Sequence, residues 1–180
     1  MLKLRKNWIS GYCLLALAVM AVSLPAQAQD EELTTEEKIA ALNAKVLVDP
    51  ADAQSWNDLG LIYAEDGKFE VARDAFIRAV QGEPTNGDYH RNLGLAFSRL
   101  GMYEMAVAEF QAYQRLDVMG GKDYWRFIAS AQVSAGMIDD ARQTYLEGLE
   151  VLGDPPNPEG LRLVLALNKL EDEAGNEQAS

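Results

Sequence analysis

From residue 31 onward the apolar positions recur at three- and four-residue steps, the period of a helix with one buried face. Trp56, Leu59, Gly60 and Tyr63 share one such face, and Ala72, Phe76 and Ala79 share another. Gly67 separates the two segments, where a left-handed helix-ending residue is expected. Glu70 falls in the first turn of the second segment, where a carboxylate suits the helix dipole. The scheme then returns twice. Gly67-x-Phe69-Glu70-x-Ala72 is followed by Gly101-x-Tyr103-Glu104-x-Ala106 and by Gly136-x-Ile138-Asp139-x-Ala141. The glycines stand 34 and 35 residues apart, and Phe76, Phe110 and Tyr145 each follow their glycine by nine positions. A period near 34 predicts helical hairpins stacked into a solenoid, an architecture that offers a binding surface.

The flanks extend the pattern. Residues 31–48 read as one amphipathic helix, with Ile39, Leu42, Val46 and Leu47 behind a capping-box sequence Thr34-x-x-Glu37. Val48-Asp49-Pro50 then stands where Gly82-Glu83-Pro84 stands one repeat later, so this helix is the second half of a repeat. At the other end Asp154-Pro155-Pro156-Asn157-Pro158 stops the third unit, and a last helix carries Leu161, Val164, Leu165, Leu167 and Leu170. A stacked core needs such an outer cap.

The residues within one period resemble the tetratricopeptide repeat (TPR) family, whose pattern sets Trp, Leu-Gly, Tyr, Ala, Phe, Ala and Pro at fixed offsets. Residues 53–86 supply Trp56, Leu59-Gly60, Tyr63, Ala72, Phe76, Ala79 and Pro84. Residues 87–120 supply Leu93-Gly94, Phe97, Ala106 and Phe110, but carry His90 for Trp, Tyr113 for the second Ala and Val118 for Pro. Residues 122–155 supply Trp125, Ile128-Ala129, Ala141 and Tyr145, with Gln132 in place of the tyrosine and one residue inserted near Gly120-Gly121. The resemblance implies an all-α fold, a right-handed solenoid of helical hairpins. Residues 29–52 would form the half-repeat helix, 156–172 the capping helix and 173–180 a disordered acidic tail. Trp56, Tyr63, Phe76, Phe110 and Tyr145 are expected to be buried between helices.

The first 28 residues have a different grammar. Lys3, Arg5 and Lys6 precede an unbroken apolar run from Cys13 to Val22, and Ala26-Gln27-Ala28 is an A-x-A cleavage site. This is a secretory signal, and Gln29 is the expected mature N-terminus. An uncleaved anchor is the competing reading, but Ile9 to Leu24 spans only 16 residues, short of the ~20 that cross a bilayer. Lipidation at Cys13 does not fit, because Tyr12 precedes it and the apolar run lies after it. The mature chain would have no cysteine, and its helical core alone would hold it together.

The formal net charge is −12, and removal of the three leader cations makes it −15 over the 152 mature residues. Such a chain repels nucleic acid, and insertion into a membrane is not expected after cleavage. Little in it suggests chemistry. His90 is the only histidine and occupies a packing position of the second repeat. Ser-His or Cys-His pairs would have to run through it, and no motif surrounds it. Cys/His metal sites fail on count. Neither a P-loop nor a GxGxxG sequence is present. No catalytic residue, cofactor or metal is assigned, and the expectation is a non-enzymatic protein.

The resemblance places the first helix of each repeat on a concave surface. The fifth position of each unit gives Asn57, Arg91 and Arg126, and the ninth gives Leu61, Leu95 and Ser130; Asn92 and Arg99 extend the polar set. Arginine forks bind carboxylates bidentately, so an acidic or C-terminal peptide segment of another protein is the expected ligand. The set resembles the carboxylate-gripping grooves of some TPR co-chaperones. The same arginines could equally pair with Asp88 and Asp123. Two functions remain open: a periplasmic scaffold that holds a partner segment in its groove, and a structural subunit of an envelope machine for pilus assembly, secretion, outer-membrane assembly or cell division. The leader fits both.

Overall fold

The computed structural model describes residues 33–116, 123–152 and 158–178. The leader, its cleavage site and Cys13 lie outside these residues, as do the Gly120-Gly121 insertion and most of the proline-rich stop. The described residues contain eight helices and no strand: α1 Thr35–Val48, α2 Ala53–Glu65, α3 Phe69–Gly82, α4 Gly87–Arg99, α5 Tyr103–Leu116, α6 Tyr124–Ser134, α7 Ile138–Leu152 and α8 Pro158–Gln178. Each helix packs on the next in sequence, and α2 also touches α4.

Three hairpins, α2–α3, α4–α5 and α6–α7, turn on the same device. Gly67, Gly101 and Gly136 have φ of 73°, 73° and 77°, the left-handed region that glycine enters without steric cost. The residue after each glycine donates its N–H back across the turn: Lys68 to the Tyr63 carbonyl at 2.9 Å, Met102 to Phe97 at 2.9 Å and Met137 to Gln132 at 2.8 Å. The glycine N–H closes the inner bond each time, to Ala64, Ser98 and Val133. This paired arrangement ends a helix and satisfies its last carbonyls. Glu70, Glu104 and Asp139 then stand in the first turn of the following helix.

Within each hairpin a ring lies over a small residue. A Cβ on Gly60 would stand 2.5 Å from the Phe76 ring, and one on Gly94 would stand 2.6 Å from the Phe110 ring. Phe76 and Phe110 are 2% exposed and share a core with Leu93, Phe97, Val107 and Ile128. Phe127 stacks on Phe110 with centroids 5.2 Å apart. A second core gathers Trp125, Tyr145, Leu152, Leu163 and Leu170, and joins α8 to the third hairpin.

Two expectations need correction. Trp56 and Tyr63 are half-buried rather than enclosed, because they pack at the margin of the Leu42, Val46, Leu59 and Ala75 cluster rather than within it. The indole N–H of Trp56 donates to the Pro50 carbonyl at 3.0 Å. The last helix also continues past residue 172 to Gln178, through the segment expected to be disordered.

The departures from the repeat pattern have local explanations. Gln132, in place of an aromatic, is buried and accepts a hydrogen bond from the Thr144 hydroxyl at 2.8 Å. Tyr113, in place of alanine, faces Gly87 and donates its hydroxyl to Asp123 at 3.0 Å. His90 fills the tryptophan position. Its Nε2 lies 3.0 Å from the Pro84 carbonyl, the counterpart of the bond that Trp56 makes to Pro50, and its Nδ1 lies 2.6 Å from Glu109. His90 therefore repeats the tryptophan's link to the preceding loop and adds a tie to α5.

Candidate functional site

The candidate residues sit on the first helices of the hairpins: Asn57 and Leu61 on α2, Arg91, Asn92, Leu95 and Arg99 on α4, Arg126 and Ser130 on α6. Helical spacing turns part of each helix away from its own partner, and these positions fall there. They do not behave as one ladder. Asn57 and Asn92 are 6% and 8% exposed, and Asn92 Nδ2 donates to Asn57 Oδ1 at 2.8 Å. The rung from α2 to α4 is thus amide to amide, with Asn92 rather than Arg91 opposite Asn57. A buried amide with a matched partner fixes the register of adjacent repeats.

Arg91 and Arg126 both have carboxylates within the protein. Arg91 reaches Asp88 one turn back at 3.5 Å and lies over the Tyr113 ring at 5.9 Å. Arg126 lies over Phe127 at 4.6 Å and bonds Glu159 of α8 at 3.3 Å. Glu159 is in turn held by Arg162 at 3.0 Å. Asp88 is the internal partner anticipated for Arg91. The partner of Arg126 is Glu159, and Asp123 serves Tyr113 instead. Ser130 is exposed, and its carbonyl receives the Ser134 hydroxyl at 3.0 Å.

The remaining candidates converge. Leu61, Asn92, Leu95 and Arg99 line a cleft of about 260 Å³ between α2 and α4, together with Ala64, Glu65, Phe69, Phe76 and Ala96. Leu61 and Leu95 are 40% and 38% exposed, so their apolar surface is open to solvent. Arg99 is exposed and packs over the Phe69 ring at 6.0 Å. It makes no ion pair with a described residue, which sets it apart from Arg91 and Arg126. The sequence reading did not select Glu65 or Phe69. Glu65 stands one repeat before Arg99, a spacing that could have drawn attention to it.

The titration shifts belong to the frame. Two hydrogen bonds from Ser55, hydroxyl first and then backbone N–H, lower the Asp52 carboxyl at the α2 N-cap. Burial raises the hydroxyls of Tyr89 and Tyr145. Among the described residues no group of histidine and acidic side chains is arranged to hold a metal, and no helix is long and apolar enough to cross a membrane.

Residues 39–86 and 57–118 match the family model described as tetratricopeptide repeat. The first two hairpins match the tetratricopeptide repeat, and the third shares their fold. A TPR relative from Mycosarcoma maydis, the small glutamine-rich tetratricopeptide repeat-containing protein 2, is 30% identical over 140 residues, or 78% of this chain. This chain spans only 34% of that relative's length. Among solved structures the fold is similar to that of MamA, with a TM-score of 0.68 and 18% identity over 78% of this chain and 79% of MamA. It is also similar to the first TPR of Spaghetti (RPAP3) bound to the HSP90 peptide SRMEEVD. There the TM-score is 0.57 and the identity 20%, over 68% of this chain and 93% of the other. These likenesses establish the TPR solenoid as the fold.

Proposed function

We propose that this chain is a non-enzymatic, exported interaction scaffold that holds a segment of a partner protein on the concave face built by α2, α4 and α6. One observation carries the reading. Leu61 and Leu95 recur at the ninth position of consecutive repeats, stay more than a third exposed and flank an open cleft. The repeat's own packing does not use these side chains, and an aligned apolar pair left in water is what a binding face requires. The RPAP3 domain of the same fold, solved with a peptide, supports a peptide segment as ligand here. The leader motif supports export, with the periplasm of a Gram-negative envelope as the site of action.

A photo-cross-linking residue placed at Leu95 should capture a partner from living cells, and one placed at the exposed Arg78 of α3 should not. Equal capture at the two positions would move the interface off the first helices and overturn the reading. N-terminal sequencing of the protein from the periplasmic fraction should start at Gln29; recovery from the membrane fraction with Met1 intact would refute export.

A further inference from the structure

The cleft also constrains what the partner presents. We propose that it takes one bulky apolar side chain from an extended segment of the partner, with a single carboxylate of the same segment seated on Arg99. The inference rests on the reading that the first-helix face binds a protein segment, and it names the chemistry of that segment.

Size comes first. A cleft of about 260 Å³ falls below the ~300–1,000 Å³ typical of small-molecule sites. It suits one large side chain better than a metabolite or cofactor. Its walls are Leu61, Leu95, Ala64, Ala96 and the two phenylalanine rings, so the group that enters is apolar. Asn92 adds the polar element of an extended backbone site. It spends one amide hydrogen on Asn57 and is itself a lining residue of the cleft.

Charge then selects the flanking residue. Arg91 and Arg126 are bound to carboxylates of this protein, whereas Arg99 stands at the cleft without one. The Arg99 guanidinium lies over the Phe69 ring at 6.0 Å and is exposed to solvent, within reach of a carboxylate entering the cleft. Glu65 lines the same cleft from α2 and makes no ion pair with a described residue. It repels a second carboxylate entering on the α2 side. The two rim charges thus favour an apolar residue beside one acid, and disfavour both an acidic run and a basic neighbour.

Blocked peptides test this by NMR titration of the labelled full chain. The reference probe is Gly-Ser-Phe-Gly-Glu-Ser-Gly with both ends capped, which removes any terminal carboxylate. It should shift the amides of Leu61, Leu95 and Arg99. Replacing its Phe with Gly, or its Glu with Lys, should abolish the shifts. Arg99→Gln should weaken the reference peptide about tenfold or more, the fold-change that a charge-assisted hydrogen bond represents. Glu65→Gln should strengthen a variant peptide carrying a second Glu before the Phe and leave the reference peptide unchanged. Silence of the cleft amides at millimolar peptide, equal binding of the Lys peptide, or indifference to Arg99→Gln would overturn the proposal. Broadening of the same amides with protein concentration alone would show that a second copy fills the cleft, and would also overturn it. Should the cleft stay silent while Leu95 still cross-links a partner, only the proposed chemistry falls. Loss of the cross-link as well would remove the interaction reading with it.

Discussion

The contact between Gly94 and Phe110 gives the most exacting test of the packing argument, because its sign changes with context. In the native protein Gly94→Ala places a methyl carbon 2.6 Å from Cε1 and 2.8 Å from Cδ1 of a ring that is 2% exposed. The ring is stacked on Phe127 and enclosed by the central core, so it cannot swing away. Overpacking of this kind costs about 1–3 kcal/mol. It outweighs the ~1 kcal/mol that alanine gains over glycine inside a helix. Phe110→Ala alone should cost about 3–5 kcal/mol, through lost transfer energy and the cavity left behind. At about 2–4 °C per kcal/mol for a chain of this size, the midpoint falls by roughly 6–20 °C. In that second background the clash is gone and the new methyl enters the cavity. Gly94→Ala should then raise stability by about 0.5–1 kcal/mol, close to its intrinsic helix gain. Circular-dichroism melts and urea titrations of the four proteins complete the double-mutant cycle. If Gly94→Ala has the same effect in both backgrounds, the glycine is not there to admit the ring and the packing assignment is wrong.

Three further outcomes follow from the same geometry. His90→Ala strips Glu109 and the Pro84 carbonyl of a shared partner and should lower stability by about 1–3 kcal/mol, measured by urea unfolding; no change would make the imidazole contacts incidental. Glu159→Gln removes the carboxylate between Arg126 and Arg162 and should cost only about 1 kcal/mol, since both arginines are partly solvated. Hydrogen exchange should locate that loss in α8, and loss spread over all helices would contradict it. The Asp52 carboxyl is lowered by its bonds from Ser55, so its contribution is present above the unfolded-state pKa and disappears as pH falls through the folded value. Ser55→Ala should therefore flatten the acid limb of the stability profile, and an acid limb identical to the native one would refute that assignment.

The fold was legible because each hairpin repeats features that sequence states outright. A glycine at φ near 75° leaves an unambiguous residue at fixed spacing, and a ring over Gly60 or Gly94 leaves a large–small pair in register. The ends were less legible. Trp56 and Tyr63 carry the repeat's signature side chains, yet their burial depends on a neighbour that the signature does not specify. Here both pack at the margin of the cluster that α1 shares with α2 and α3, and both remain half-buried. The length of α8 was missed for a related reason. Residues 173–178 are acidic and low in hydrophobicity, which argues against a core, but a helix already anchored by Leu163 and Leu170 can propagate past its last packed turn.

The candidate site shows where periodicity stops informing. Spacing assigns a residue to a face, and it did place Leu61, Leu95, Asn92 and Arg99 on the face where the cleft forms. It does not say which charges on that face are already spent. Arg91, Arg99 and Arg126 look alike in sequence, yet Asp88 engages the first and Glu159 the third, the latter from a helix counted only as a cap. Pairing across 33 residues depends on how α8 docks. That docking follows from Leu163 entering the notch at Gly148, where an added Cβ would meet its Cδ1 at 2.7 Å. A hydrophobic contact at the end of the solenoid thus decides the electrostatics of its third repeat. It leaves Arg99, near the middle of the stack, as the guanidinium on this face that a partner's carboxylate can reach without displacing one of the protein's own.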